Sequence, residues 1–211
     1  MYTLYGYKGS GSAAVEVALQ RIGATFRMVD AATWAPDSRL EELRAVNPLQ
    51  QVPTLVTADD DVLTESSAIL IALGLAYPDS GLLPADARAR ARSIRGLVFI
   101  AANCYAQIGI IDYPERWLPD AGDEQRQRLV QGARQRLHRQ WEIFADQFGR
   151  APFLEGATPG ALDILAAVVS KWSGARAHLR SARPDFSATL GRVDAEPSIA
   201  AVFARHWEPK S

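Results

Sequence analysis

Two serines in a glycine-rich turn are the first candidate catalytic residues of this chain. Ser10 and Ser12 belong to the segment YKGSGSAAVEVAL, in which a turn leads into an apolar-periodic run that predicts a helix. The first N–H groups of a helix have no partner within it, and the helix dipole is positive at that end. A thiolate bound at this turn would be stabilised there. The same serines could instead act only as helix caps.

Two further segments could hold an extended peptide. In NPLQQVPTL, Pro53 leads into a predicted strand, a position that proline takes at a sheet edge or in a cis turn. A cis Val52–Pro53 bond would expose the backbone of Val52 for pairing with a peptide. In VLTESSAIL, Glu65 and Ser66 open a helix, so Ser66 could bind a carboxylate and Glu65 an ammonium group. The alternative is that both are ordinary first-turn residues of a helix capped by Thr64.

The predicted helices and strands around these residues fall into two halves. Residues 2–77 alternate in the order strand, helix, strand, helix, strand, strand, helix, with the second helix over 37–46, which is typical of an α/β layer. Prolines and a glycine near residues 78–85 indicate a linker. Beyond it, apolar residues recur every three to four positions. This pattern predicts an all-helical half, with a long helix that ends at Gly149 and a buried helix over 164–172.

The composition excludes several classes of protein. The 23 Lys and Arg residues balance 24 Asp and Glu residues, so nucleic acid and acidic membranes are not expected partners. A single cysteine, Cys104, excludes an internal disulfide, and the three histidines lack metal-ligand spacing, so we expect no metal. No signal peptide or apolar run of about 18 residues is found in the sequence. These features favour a cytoplasmic protein that is not membrane-spanning and binds a small molecule or another protein.

The serine turn and the segments NPLQQVP, TESSAI, LLP and RVDAEPSI occur in an order and spacing that resemble the soluble glutathione transferase superfamily. The resemblance covers essentially the whole chain. It implies a thioredoxin-like glutathione-binding domain over residues 1–78, followed by an all-helical domain over residues 86–211 that supplies the pocket for an electrophile. It also implies a homodimer, formed by the third helix and the helix after the linker.

By this resemblance, glutathione is a co-substrate held by the first domain. Val52 would pair its main chain with the cysteinyl part, Glu65 and Ser66 would hold the γ-glutamyl end, and Gln51 would reach the glycyl end. The implied glutathione-binding residues are therefore Gln51, Val52, Pro53, Glu65 and Ser66.

The resemblance also implies catalytic and second-substrate residues. Ser10 matches the activating hydroxyl of the serine-type classes, and Ser12 competes with it because the turn SGS lets the alignment slide. Lowering a thiol pKa of about 8.5 by roughly two units takes about 2.7 kcal/mol, which one charge-assisted hydrogen bond and a helix N-terminus can supply. Candidate second-substrate residues are Tyr7, Tyr105, Tyr113 and Trp117, and Tyr7 is also an alternative activating hydroxyl.

The function implied is transfer of the glutathione thiolate to a hydrophobic electrophile. The alternative is a non-catalytic protein-interaction module with the same fold. Two residues depart from the family pattern: Gly11 stands nearest to the cysteine of the cysteine-containing bacterial class, and Gly160 stands at the helix cap ahead of Asp163. The alternative cap is Thr158, with Pro159 as the first helical residue. The lone Cys104 lies in an apolar helical stretch and is expected in the core.

Overall fold

The computed structural model describes residues 1–207, and the first part of the chain is a four-stranded sheet with three helices. In chain order the elements are β1 (Tyr2–Gly6), α1 (Ser12–Arg21), β2 (Phe26–Asp30), α2 (Leu40–Val46), β3 (Thr54–Val56), β4 (Val62–Thr64) and α3 (Ser66–Ala76). The strand order is β2-β1-β3-β4, with β2 parallel to β1 and the other pairs antiparallel. The predicted order of elements is confirmed, and the arrangement is thioredoxin-like.

The second part of the described chain is helical. Its elements are α4 (Ala87–Phe99), a π-helical segment (Ile100–Tyr105), α5 (Ala106–Asp112), α6 (Asp123–Phe148), α7 (Ala161–Val169), α8 (Ala175–Ala182), α9 (Pro184–Ala195) and α10 (Pro197–His206). The predicted long helix is α6, and Gly149 caps its C-terminus as expected. The predicted fold class, an α/β part followed by an all-helical part, is confirmed.

One apolar core joins the two parts. Leu4 of β1 and Val15 of α1 belong to the same cluster of fully buried side chains as Trp141 and Phe144 of α6. Helix α7 lies at its centre, since all nine of its residues are buried. Burial of this shared apolar surface fixes the position of the two parts relative to each other. The cleft between them therefore has a fixed geometry.

The N-terminus of α7 is held by a buried carboxylate. Asp163 accepts hydrogen bonds from the backbone N–H of Leu154 at 2.7 Å and of Gly160 at 3.1 Å. Gly160 occupies the cap position, as predicted, and a Cβ atom there would lie 2.0 Å from Oε2 of Glu155. The Glu155 carboxylate, which accepts from the N–H of Leu162, fills that space, so a side chain at residue 160 would displace it.

Two helix boundaries differ from prediction. Helix α2 begins at Leu40 and not at residue 37, because Ser38 exchanges hydrogen bonds with the backbone of Ala32 at 3.0 and 3.1 Å. The buried helix ends at Val169 and not at residue 172, because Ser173 and Gly174 turn the chain with φ values of 54° and 80°. Trp172 consequently lies in a loop and not in the helix interior.

The helical stretch Ala87–Asp112 is long and apolar enough to cross a membrane when length and composition alone are considered. In the fold, Leu97, Ile100 and Cys104 of this stretch are fully buried in the core. Its other face is exposed, with Val98 at 51%. The stretch is therefore a core helix, and its outer face carries Val98 together with exposed arginines such as Arg95.

Candidate active site

A cleft of about 430 Å³ lies between the sheet part on one side and the π-helical segment and α5 on the other. It contains most of the residues predicted from the sequence, drawn from both parts of the chain. The predicted residues that line it are Ser10, Gln51, Val52, Pro53, Glu65, Ser66, Tyr105 and Tyr113. Ser12, Tyr7 and Trp117 do not line it.

The loop before β3 forms one wall of the cleft. The Val52–Pro53 peptide bond is cis, as predicted, and the strand begins only at Thr54. The Thr54 hydroxyl donates to the carbonyl of Gln51 at 2.8 Å, and the Asn47 amide donates to the same carbonyl at 3.2 Å and to the Thr54 hydroxyl at 2.9 Å. These bonds fix the loop, so the backbone of Val52 faces the cleft ahead of the sheet and could pair with an extended ligand.

The N-terminus of α3 forms the adjacent wall. Ser66 is the first residue of the helix and is 6% exposed, so its hydroxyl and N–H lie at the positive end of the helix dipole. Glu65 occupies the cap position without a side-chain cap bond, and its backbone has φ 64° and ψ 111°. Such a conformation is unfavourable for a non-glycine residue and tends to occur at functional sites. The interpretation of these residues as a helix start capped by Thr64 has no support in this geometry.

The serine turn is closed by its own hydrogen bonds. The hydroxyls of Ser10 and Ser12 lie 2.8 Å apart, and Ser12 Oγ donates to the Tyr7 carbonyl at 3.3 Å. Ser10 Oγ accepts from the N–H of Ser12 at 3.2 Å and lies 3.4 Å from the N–H of Tyr7. Ser12 is fully buried beneath the turn. Of the two serines, only Ser10 reaches the cleft.

The second part of the chain holds this turn from behind. The indole N–H of Trp172 donates to the Gly9 carbonyl at 3.1 Å, and Nδ1 of His206 accepts from the Gly9 N–H at 3.2 Å. Nε2–H of His206 in turn donates to the buried carboxylate of Glu16 at 2.8 Å, which also pairs with Arg205. Sequence reasoning missed this function of Trp172 and His206, because nothing in the local pattern relates them to residue 9.

Aromatic residues surround the mouth of the cleft. Trp34 lines it and is 53% exposed, while Tyr7 packs edge-on against Trp34 from outside the cleft. Arg116 lies over the Tyr113 ring at 3.9 Å. Trp117 is 59% exposed and does not line the cleft. Trp34 and Arg116 were not predicted, because their loops carry no periodic signal.

Two expectations about other chemistry can be compared with the structure. Cys104 is fully buried, and burial raises the pKa of its thiol far above the ordinary value, so it is not a nucleophile. Among residues 1–207, no three His, Cys, Asp or Glu side chains are grouped closely enough to hold a metal ion.

Comparisons of the sequence and of the fold with known proteins all find glutathione S-transferases or proteins similar to them. The family model for the N-terminal domain of glutathione S-transferases matches residues 1–71. YncG, an uncharacterised GST-like protein of Escherichia coli K12, is 29% identical over 208 residues, 98% of each chain. BphK, a bacterial GST solved as a ternary complex, is 26% identical with a TM-score of 0.77 over 95% of this chain and 97% of its own. A glutathione transferase homologue from Sulfitobacter, solved with bound glutathione, has a similar fold, with a TM-score of 0.82 at 23% identity over 96% of each chain.

Proposed function

Since the chain belongs to the glutathione S-transferase superfamily, we propose that it binds glutathione in this cleft and transfers the thiolate to a hydrophobic electrophile. The observation that carries the proposal is the convergence of three peptide-binding features on one cavity. These features are the backbone of Val52, the N-terminus of α3 at Ser66, and the N-terminus of α1 behind Gly11.

The wall of the cleft matches the chemistry of glutathione. The γ-glutamyl carboxylate would accept hydrogen bonds from the hydroxyl and N–H of Ser66, while Glu65 would pair with the ammonium group. Main-chain bonds to Val52 would place the cysteinyl sulfur over the N-terminus of α1, and Gln51 would contact the glycyl end. The helix N-terminus favours the thiolate over the thiol, as for any anion bound there.

The opposite wall would receive the electrophile. Ala101, Ile108 and Gly109 of the second part present an apolar surface, which Tyr113 extends towards the mouth. A hydrophobic molecule bound there would face the sulfur. Attack by the thiolate would form a C–S bond, and the leaving group would depart with the electron pair of the bond that breaks.

The competing proposal is a non-catalytic module that retains the fold. The buried Ser66, the strained Glu65 and the continuous cleft favour the enzyme, because an interaction module has no need of them. We also propose a cytoplasmic location, which suits a protein that uses free glutathione.

Calorimetry of glutathione binding, combined with steady-state conjugation of 1-chloro-2,4-dinitrobenzene, tests this function. Ser66→Ala is expected to weaken glutathione binding roughly tenfold to hundredfold, as the loss of a hydrogen bond to a charged group would. Ser181→Ala, at an exposed serine on α8, is the matched control and should bind as the wild type does. Binding without turnover of any electrophile would favour the non-catalytic module, and absence of binding would overturn both the binding site and the transferase.

A further inference from the structure

Gly11 leaves a space at the bottom of the cleft that a residue from the second part fills. A Cβ atom built on Gly11 would lie 2.4 Å from the hydroxyl oxygen of Tyr105. The same position is 3.0 Å from Oγ of Ser66 and 3.4 Å from Cδ of Pro53. A side chain on residue 11 and the phenol of Tyr105 therefore exclude each other. The phenol lies where a side chain of the turn would otherwise point, between two glutathione-binding residues.

The hydroxyl groups of the serine turn form hydrogen bonds within the turn. Ser12 Oγ lies 3.3 Å from the Tyr7 carbonyl and 2.8 Å from Ser10 Oγ, so when Ser12 donates to the carbonyl, the proton of Ser10 is directed at Ser12 Oγ. The phenol of Tyr105, by contrast, has a single long contact of 3.5 Å, to Ser66 Oγ, among the hydrogen bonds of the described residues. Its proton is free to turn towards a ligand in the cleft.

The local backbone and packing hold Tyr105 in this orientation. Tyr105 is the last residue of the π-helical segment, and such segments are frequently found at functional sites. Its ring packs against Trp172 with centroids 5.7 Å apart. Burial, with a smaller contribution from the charge of Glu65, raises the pKa of Tyr105 to about 12. The phenol is thus protonated at neutral pH and acts as a hydrogen-bond donor.

We propose that Tyr105 is a catalytic residue, whose phenol donates the hydrogen bond that stabilises the glutathione thiolate in place of the turn serines. This inference rests on the proposed function and adds the identity of the activating group. When glutathione binds, its thiol loses a proton to solvent, and the sulfur accepts hydrogen bonds from Tyr105 and the N-terminus of α1. The phenol keeps its own proton throughout, and the thiolate then forms the C–S bond.

The test is the pKa of the bound thiol, measured from the ultraviolet absorbance of the thiolate as pH is varied. Tyr105→Phe is expected to raise this pKa by roughly 1–2 units, the equivalent of a charge-assisted hydrogen bond. The pH profile of kcat/KM should move by the same amount. Binding of S-methylglutathione, which has no thiolate, should stay within about twofold of the wild type. Tyr77→Phe, at a partly exposed tyrosine outside the cleft, is the matched phenol control.

Gly11→Ala gives an independent variant, because its methyl group would displace the phenol. It should raise the thiol pKa as Tyr105→Phe does, and the double variant should show little further change, since the hydroxyl is already absent. If Ser10→Ala raises the thiol pKa and Tyr105→Phe does not, the inference is overturned while the transferase stands. If the wild type binds neither glutathione nor S-methylglutathione, the proposed function itself fails and this inference with it.

Discussion

Glu65 combines a proposed binding function with an unfavourable backbone. Its φ of 64° lies in the region that favours glycine, yet a carboxylate side chain is present. A conformation of this kind costs about 1–3 kcal/mol, which the surrounding fold must offset. The strain is explained if the carboxylate is needed at this point of the cleft wall to meet the ammonium group of glutathione.

Glu65→Gly separates the two contributions. We expect the free energy of unfolding to be unchanged or higher by about 1 kcal/mol, because relief of strain is partly offset by the flexibility of glycine in the unfolded chain. Glutathione affinity should fall roughly tenfold or more. Urea unfolding and calorimetry measure the two effects. Asp60→Gly is the matched control, since Asp60 has φ 65° in an exposed turn outside the cleft and should keep full affinity. Unchanged glutathione affinity in Glu65→Gly would contradict a binding function for the carboxylate.

The residues that sequence reasoning placed in the cleft come from short, contiguous segments. Val52, Pro53, Glu65 and Ser66 are positioned by the turn or helix start in which they occur, so local patterns were informative. Tyr105 was predicted for the electrophile pocket, and its hydroxyl lies beside Gly11 and Ser66, at the wall that we propose holds glutathione. That contact depends on how the π-helical segment packs against the turn before α1, and the sequence of neither segment alone predicts this packing.

At the scale of elements, the N-terminus of α7 has a second buried carboxylate beside Asp163. Burial raises the pKa of Glu155 to about 7, and the charge of Asp163 acts in the same direction. Oε1 of Glu155 has no hydrogen-bond partner among the described residues, while Oε2 accepts from Leu162. The charged form of Glu155 is therefore poorly compensated in the folded state.

Ionisation of Glu155 is expected to lower the stability of the folded state as pH rises. Its folded pKa of about 7 lies above the ordinary value of 4.5, so the folded state binds more protons between these pH values. The free energy of unfolding should fall as pH rises from 4.5 to 7, by on the order of 1–3 kcal/mol from this group. Glu155→Gln keeps an oxygen for the Leu162 N–H and should lose this slope, leaving the variant at least as stable as the wild type at pH 8.

The measurement is urea unfolding at several pH values. Glu124→Gln, at an exposed glutamate on α6, is the control and should retain the slope of the wild type. If the pH dependence of stability persists in Glu155→Gln, it arises from other carboxylates. Asp163 is the first candidate, because burial raises the pKa of Asp163 to about 6.

The order of the elements was predictable because each helix and strand has its own apolar period. The π-helical segment was not, because it replaces one turn within a continuous apolar stretch, and the residue pattern on both sides stays helical. The start of α2 was also displaced, since the bonds of Ser38 to Ala32 compete with the helix. Elements were therefore predicted better than their ends.

At the scale of the whole molecule, helices α3 and α4 leave several apolar side chains uncovered, next to exposed arginines of α4 such as Arg95. The Ser67 hydroxyl donates to the Leu97 carbonyl at 2.9 Å, so the two helices lie side by side. The residues that follow these two, Ala68 and Val98, are exposed, and Leu75 further along α3 is 57% exposed. Apolar residues of this kind on neighbouring helices are typical of an interaction surface. The homodimer implied by the sequence would cover it.

Val98→Asp tests this arrangement. We expect the wild type to behave in light scattering as a particle of twice the chain mass of 23.0 kDa, because covering apolar surface of two copies is favourable. The variant would place two unpaired carboxylates in the contact and should shift the population to monomers at micromolar concentration. Ala188→Asp, at an exposed alanine on α9, should remain dimeric. A monomeric wild type would rule out the homodimer. If Val98→Asp remains a dimer, the interface lies on another face. Because the cleft is formed within one chain, glutathione binding should survive in the monomeric variant.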